Sequence, residues 1–204
     1  MKNAHTAIVV ALGLALATLG ARAQTAAEGQ PAPHSPTQQR GAQHTGPAAQ
    51  QAGQQSKLEG EDRRFLENAV QGSFAEIEGS KLALEKTKSQ DVKEFAQMMI
   101  KDHEKMGKEA AKLASSKGME PPTGPSAMQV TEITALKALS GGAFDAMYVN
   151  RIGVASHEAT VEMFEKASRE AHDADVKSMA TKALPKLREH LKMAQALNKK
   201  QDSK

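Results

Sequence analysis

The chain has 204 residues, with 27 basic and 24 acidic side chains and a formal net charge of +3. Aromatic residues make up 3% of the sequence, and cysteine is absent. The shortage of aromatic and β-branched residues argues against a β-sandwich. The absence of cysteine excludes disulfide frameworks, thiolate metal sites, cysteine nucleophiles and a lipid-modified N-terminal cysteine. Because Ala, Leu, Met, Lys and Glu favour helix, we expect an all-α protein.

The first 23 residues have the features of a cleavable secretory signal peptide. Lys2 provides a positive start, residues 7–19 are all apolar or small, and Ala21-Arg22-Ala23 matches an A-x-A cleavage site. An apolar helix of this length covers roughly 20 Å, which is too short for a bilayer core of ~30 Å. We therefore expect an exported, periplasmic protein that is not inserted in a membrane after cleavage.

Cleavage of the signal also changes the charge balance. Residues 1–23 carry two of the basic residues and no acidic one, so the rest of the chain has a net charge of +1. A chain so nearly balanced does not support steering toward nucleic acid or an anionic membrane. We expect no nucleic-acid partner.

Residues 24–56 are predicted to be a disordered linker. They contain nine Gln and four Pro, and no Leu, Ile, Val, Met or aromatic residue. Such a segment cannot bury enough apolar surface to offset the entropy lost on ordering. His34 and His44 lie in it, and we interpret both as incidental polar residues.

From residue 57 onward, apolar positions recur with helical spacing. The pattern predicts long helices at about 61–88, 90–116, 143–170 and 174–198, and a short one at about 127–139. Ser89 and Asp173 are predicted N-caps, and Pro185 is predicted to kink the last helix. We expect residues 57–204 to form a ferritin-like four-helix bundle with a short extra helix in the long connection between helices 2 and 3. A simple up-down bundle is the alternative.

Each long helix carries one strongly polar residue on its apolar stripe: Glu76, His103, His157 and His190. All four lie near the middle of their helices, so we expect them in one layer of the bundle. Burying three imidazoles and a carboxyl group is costly unless they pair with one another or bind a ligand. Since Glu and His form the metal sites of bundle cores, the layer predicts a site for one divalent transition-metal ion. A metal-free hydrogen-bond network is the alternative.

Several neighbours of this layer are weaker candidates. Three acidic residues are adjacent in sequence to a histidine and are candidates for outer partners of the ligands: Asp102, Glu158 and Glu189. Three methionines lie within a turn of a histidine and would permit a copper site: Met99, Met106 and Met193. Methionines on an apolar stripe are more often core residues, and we interpret them so. His172 precedes the last helix and is interpreted as a surface residue.

Five segments of the sequence, in this order and spacing, resemble one bacterial family. They are Asp62-Arg63-Arg64-Phe65-Leu66, Glu76-Ile77-Glu78-Gly79, Met99-Ile100-Lys101-Asp102-His103, Phe144-Asp145-Ala146-Met147-Tyr148 with His157 following, and Leu184-Pro185-Lys186-Leu187-Arg188-Glu189-His190-Leu191. They resemble the ferritin-like domain of unknown function found in exported proteins often labelled predicted outer membrane proteins. The resemblance covers about residues 61–197. It implies a ferritin-like bundle and export, and no established activity. This sequence, without a lipidation cysteine, does not support outer-membrane association.

The sequence departs from ferritins in its ligand pattern. Di-iron carboxylate proteins place a Glu three residues before a ligand His. The residues three before the histidines here are Ile100, Val154 and Leu187. Because the bridging carboxylates are missing, we expect a mononuclear, histidine-rich site rather than ferroxidase chemistry.

Three functions remain open from the sequence. The first is a periplasmic protein that binds one metal ion, for metal handling or stress tolerance. The second is a structural or protein-interaction module whose polar layer is metal-free, and the third is a redox metalloenzyme. An enzyme is the less favoured reading, because no nucleophile triad, phosphate loop or thiol motif is present. The protein partner is left open, as is the choice between monomer and dimer.

Overall fold

A computed structural model of the chain describes residues 58–203. Over this range the chain is helical, without a β-strand, and folds as a helical bundle. The predicted signal peptide (1–23) and linker (24–56) lie outside the described residues. None of the helices within 58–203 is both long enough and apolar enough to cross a membrane.

The described residues form five helices, which we number in chain order. They are α1 (Gly60–Lys86), α2 (Gln90–Ser116), the short α3 (Ala127–Lys137), α4 (141–170) and α5 (Ala174–Asp202). Their ends agree with the predicted helices to within a few residues. The helical periodicity of the sequence therefore located every element of the bundle.

Two of the helix starts are fixed by side chains that the sequence had indicated. Ser89 accepts a hydrogen bond from the Val92 N–H across 3.4 Å. Asp173 accepts from the backbone N–H groups of Asp175 and Val176 at 2.9 and 3.2 Å. Both N-cap predictions are confirmed. Farther along α5, the helix continues through Pro185, whose side chain is exposed.

α4 contains a π-helical segment that the sequence pattern did not predict. It consists of an α-helical turn (Gly141–Met147), a π-helix (Tyr148–Ala155) and a second α-helix (Ser156–Glu170). A π-helix bonds each residue to the fifth one along, so it rotates the buried face. Within this segment, Arg151 is exposed and donates a hydrogen bond to Glu132 of α3. The buried residues there are Tyr148, Val149, Ile152 and Gly153.

The polar layer separates two apolar clusters in the core. One cluster includes Phe65, Leu66, Ala110, Phe164 and Leu187. The other includes Ala83, Phe95, Met99, Tyr148 and Ala194. On each long helix the polar residue lies between a member of one cluster and a member of the other, as His103 lies between Met99 and Ala110. The layer is therefore closed above and below by packed apolar side chains.

Contacts at the helix ends define the directions of the helices. Lys117, just after α2, forms ion pairs of 2.7 Å with Asp173 and Asp175, just after α4. At the opposite end, Lys200 near the end of α5 pairs with Asp91 at the start of α2, at 2.9 Å. The ends of α2 and α4 thus lie together, and so do the start of α2 and the end of α5.

The connection between α2 and α4 follows the length of the bundle. It leaves the end of α2 and includes α3, which packs against α1. The Nζ of Lys86, the last residue of α1, donates to the carbonyl oxygens of Lys137 and Leu139 at 2.7 and 2.9 Å. The end of α1 lies beside the start of α2, because only three residues join them. The connection therefore returns the chain to the end at which α2 began.

Candidate metal centre

Three histidine side chains from three helices meet in the polar layer. His103 of α2, His157 of α4 and His190 of α5 are each less than 5% exposed. Their ring centroids are 5.4 to 5.5 Å apart. One ring nitrogen of each lies within 4.8 Å of the corresponding nitrogens of the other two. The structure thus brings together the three histidines that the sequence singled out.

The orientation of His190 is set by a carboxylate of the neighbouring helix. Its Nε2 lies 2.9 Å from Asp102 Oδ2 on α2. A carboxylate only accepts hydrogen bonds, so Nε2 carries the hydrogen and Nδ1 keeps its lone pair. Nδ1 is buried and has no hydrogen-bond partner among the described residues. Lys186 approaches the same Asp102 oxygen at 3.7 Å and supports its negative charge.

The orientation of His157 is set by the π-helix that precedes it. Its Nδ1 lies 3.2 Å from the carbonyl oxygen of Ile152, five residues earlier. Because a carbonyl accepts, Nδ1 carries the hydrogen, and the lone pair is on Nε2. Within residues 58–203, Nε2 is buried without a hydrogen-bond partner. The π-helical turn therefore supplies the carbonyl that selects the tautomer of His157.

His103 has no hydrogen-bond partner for either ring nitrogen in the part of the chain that the structure describes. Its ring lies edge-on to that of His157, with an interplanar angle of 84°, and is tilted by 39° from that of His190. An imidazole always offers one lone pair and one N–H group when neutral. Leaving both unpaired in a core is costly.

Glu76 of α1 lies beside the three histidines rather than within their group. Its carboxyl group is buried, and its Oε1 lies 3.8 Å from His157 Nδ1 and accepts a hydrogen bond from the Ser156 hydroxyl. Oε2 is buried and unpartnered among residues 58–203. Burial raises the pKa of Glu76 to about 8, against the opposing effect of the Ser156 hydrogen bond. The carboxyl group is therefore mostly neutral at pH 7.

The histidines are also held in their neutral forms. Burial lowers the pKa of His103 well below its usual value, and the nearby His157 and His190 act in the same direction. Burial and His190 together lower the pKa of His157 to about 4. Burial lowers the pKa of His190 as well, although its hydrogen bond to Asp102 opposes the shift. Neutral imidazole is the form that binds a metal ion.

The remaining sequence candidates take different positions. Asp102 contacts His190, as described, whereas Glu158 and Glu189 are exposed. Glu189 pairs with Lys186 at 2.9 Å, and His172 is exposed. Of the three methionines, Met99 is fully buried in the apolar core, Met193 is exposed and Met106 is half-buried.

Two features of the site were missed from the sequence. Ser156, which contacts Glu76, is adjacent to His157 and carries no signal of its own. The Ile152 carbonyl contacts His157 only because of the π-helix, and periodicity alone does not show where a helix widens.

The arrangement has the donor set of a metal site. Three imidazoles from three helices each direct a nitrogen with no protein partner into one enclosed layer. A tetrahedral ion with nitrogens at about 2.0–2.1 Å requires nitrogen separations of about 3.4 Å. One nitrogen of each histidine lies within 4.8 Å of those of the other two, which is close enough for the three side chains to hold a metal ion.

A comparison with solved structures finds a protein of similar fold. The bundle is similar to the crystal structure of a conserved hypothetical protein, rv2844, from Mycobacterium tuberculosis. The TM-score is 0.54 and the sequence identity is 17%, over 68% of this chain and 90% of that chain. At this identity the match shows a shared fold and nothing about activity. No curated protein matches the chain.

A comparison with protein-family models identifies the family of the chain. The family described as a domain of unknown function, DUF4142, matches residues 47–197. This range contains all four residues of the polar layer and nearly all of the helical bundle. The match covers most of the sequence, and the chain belongs to the DUF4142 family.

Proposed function

We propose that this protein binds one transition-metal ion through His103, His157 and His190. One observation carries the proposal: each of these buried imidazoles presents a nitrogen that no described protein group satisfies, and the three nitrogens converge. A buried polar atom left unpaired costs about 1–3 kcal/mol. One ion coordinated by the lone pairs of all three imidazoles would remove that cost for three nitrogens at once.

The outer contacts favour coordination over a simple polar core. Asp102 holds one hydrogen of His190, and the Ile152 carbonyl holds one of His157. Ligating histidines characteristically donate their second N–H group to a carboxylate or a backbone carbonyl. Both contacts leave the opposite nitrogen buried and without a partner among the described residues, so its lone pair is available for coordination.

The alternative, a metal-free hydrogen-bond network, has less support. In such a network the histidines would donate to one another or to Glu76. No hydrogen bond joins any two of the three rings among residues 58–203, and neither nitrogen of His103 has a partner there. Glu76 contacts Ser156 and approaches the nitrogen of His157 that is already bonded to Ile152.

We assign Glu76 a supporting position rather than that of a fourth ligand. Its carboxyl group is adjacent to His157 but outside the group of three converging nitrogens. In its ionised form it would balance part of the charge of a bound cation. We favour a binding role over catalysis on an organic substrate, because the sequence has no nucleophile triad, phosphate loop or thiol motif. Metal handling or stress tolerance is the function we infer.

We propose further that the bundle has ferritin-like connectivity. The ion pairs of Lys117 and Lys200, together with the Lys86 hydrogen bonds, support α2 and α4 running in the same direction. That direction requires a long connection along the bundle, as in ferritin-like folds. A simple up-down bundle would have α2 and α4 antiparallel.

We also propose that the protein is exported and cleaved after Ala23. The support is the order of Lys2, the apolar stretch at residues 7–19 and the Ala21-Arg22-Ala23 motif. Intact-mass measurement of the protein expressed with its natural N-terminus in a Gram-negative host tests this. A chain beginning at Gln24 in the periplasmic fraction is the expected result, and an uncleaved cytoplasmic chain would contradict it.

The metal proposal is tested on protein purified without a His tag. We expect one bound ion per chain by elemental analysis after exposure to Zn²⁺, Co²⁺ and copper in turn, with one or more of them retained on desalting. His103→Ala, His157→Ala and His190→Ala should each abolish that stoichiometric binding. His172→Ala, an exposed histidine outside the layer, is the matched control and should bind as the wild type does. Loss in the control, or retention in the three variants, would overturn the proposal.

A further inference from the structure

Two cavities in the described part of the chain are lined by His103, and the smaller of them leads from the bundle surface to the histidine layer. Glu76 and His103, both buried, line its inner part. Asn68 and Glu109 also line it and are exposed, so the cavity reaches the surface. A volume of about 30 Å³ accommodates one water molecule or a bare ion and excludes an organic substrate.

Three methionines from three helices line this cavity. They are Met106 of α2, Met163 of α4 and Met179 of α5, and each is half-buried. Because they come from separate helices, they are not the single apolar stripe that any amphipathic helix would show. Met106 lies one turn beyond His103 on the same helix, and both residues line the cavity.

The charges of the cavity suit a cation. Its lining includes the exposed acidic side chain of Glu109 and the buried, mostly neutral carboxyl group of Glu76, and no Lys or Arg side chain. Lys81 and Lys108, by contrast, line the larger cavity beside His103. A passage for an anion would need positive charge along its walls. Thioethers are soft ligands that select cuprous copper among the first-row ions, and imidazole nitrogens also bind copper.

We propose that this cavity is the route by which cuprous copper, Cu(I), reaches the three histidines, with Met106, Met163 and Met179 contacting the ion on its way. The inference rests on the metal site of the proposed function and narrows its ion to copper. The ion enters and is bound in one oxidation state, so no electron transfer is involved. A harder ion such as Zn²⁺ gains nothing from the thioethers and should enter without their help.

The test compares two triple variants of the full chain. Met106→Leu, Met163→Leu and Met179→Leu together remove the three thioethers, and leucine nearly conserves volume and apolarity. The matched control carries Met98→Leu, Met128→Leu and Met193→Leu, three methionines that do not line the cavity. Loading is followed by transfer of Cu(I) from a chromophoric chelator and, separately, by transfer of Zn²⁺. Circular dichroism melts establish that both variants are folded.

We expect the cavity variant to take up Cu(I) about tenfold more slowly than the wild type, since its soft ligands are gone. The rate of Zn²⁺ uptake by the cavity variant and its final metal content per chain should be unchanged. The control variant should match the wild type in its Cu(I) rate, its Zn²⁺ rate and its final metal content. An unchanged Cu(I) rate, or equal slowing for Zn²⁺, would overturn the inference and leave the metal site standing. Failure of the wild type to bind any ion would instead remove the metal site itself.

A second measurement needs no variant of the cavity. Cu(I) is diamagnetic, so the ¹³C-methyl resonances of the methionines can be followed in the wild-type protein during titration. We expect shifts for Met106, Met163 and Met179, and none for Met128 and Met193. Shifts confined to other methionines, or absent from all of them while copper binds, would contradict the route even if the triple variant failed to fold.

Discussion

His190 Nε2 donates a hydrogen bond of 2.9 Å to Asp102 Oδ2, and this contact leaves the opposite nitrogen, Nδ1, buried without a partner among residues 58–203. The ring centroid of His190 lies 5.4 and 5.5 Å from those of His103 and His157. The carboxylate is supported on its outer side by Lys186. It thus fixes the tautomer and the ring orientation of a residue that is itself fully buried. The relationship explains why an acidic residue next to one histidine in the sequence acts on a histidine of another helix.

Asp102→Asn should weaken metal affinity by about 10- to 100-fold, the usual effect of losing an outer carboxylate partner. Asparagine is neutral and can present its NH₂ group to Nε2, which would favour the wrong tautomer of His190. Affinity is measured by competition with a chromophoric chelator. Glu189→Gln removes an exposed carboxylate next to His190 in sequence and should leave affinity unchanged. Equal effects of the two substitutions would show that general charge, rather than the contact with His190, is responsible.

The stability of the metal-free protein should fall as the pH rises from 6.5 to 8. The pKa of Glu76 in the folded state is raised from 4.5 to about 8, so the folded chain keeps a proton that the unfolded chain releases. The stabilisation that Glu76 gives the folded state is therefore complete below pH 4.5 and is lost as the pH rises toward 8. The three histidines have lowered pKa values in the folded state. Their contribution to the free energy of unfolding is therefore complete above pH 6.5 and is lost as the pH falls, toward about pH 4 for His157. Glu76 alone is expected to dominate between 6.5 and 8.

We expect a slope of about −1.4 kcal/mol per pH unit near pH 6.5, the value for one proton, falling to about half of it near pH 8. Urea denaturation in the presence of a chelator, at several pH values, gives the free energy of unfolding. Glu76→Gln should flatten the slope because glutamine does not titrate. Glu78→Gln, an exposed residue of the same helix, should retain it. A steep slope that survives in Glu76→Gln would place the buried titrating group elsewhere.

Much of the bundle could be predicted because its helices are amphipathic and their caps are local. Ser89 and Asp173 contact groups within three residues of themselves, so the sequence contains both partners. The convergence of His103, His157 and His190 followed from their stripe positions and similar depths. Three features could not be predicted, because they depend on backbone geometry and on contacts between helices that are distant in sequence. They are the π-helical turn before His157, the contact of Asp102 with another helix, and the position of Glu76 outside the histidine group.

Gly153→Ala should destabilise the protein by about 1–3 kcal/mol, as overpacking of a core does. Gly153 lies in the π-helical segment, and an added Cβ would lie 3.0 Å from the Cβ of Ala194 on α5. Relief of that contact would push α4 away from α5 one turn before His157 and close to His190. Gly142→Ala, in the first turn of the same helix with open space around its Cβ position, is the matched control. Thermal melts of both variants without metal should differ, and equal melting temperatures would refute close packing at the π-helix.

His103→Leu and His190→Leu should change the metal-free stability in opposite directions. Neither nitrogen of His103 has a partner among the described residues, so an apolar side chain of similar size removes an unpaired buried group. The free energy of unfolding should rise by about 1–3 kcal/mol. His190→Leu instead deprives the partly buried Asp102 of its donor and should be destabilising.

Both substitutions should abolish metal binding. At His103, therefore, metal binding should be lost while the stability of the metal-free protein rises. Urea denaturation with a chelator measures the stability, and elemental analysis after exposure to metal measures the binding. A His103→Leu variant that is more stable but binds no ion would show that this histidine is retained at the expense of stability, as expected for a ligand. Loss of stability in both variants would mean that His103 pairs with a group in the folded core, as the hydrogen-bond network requires.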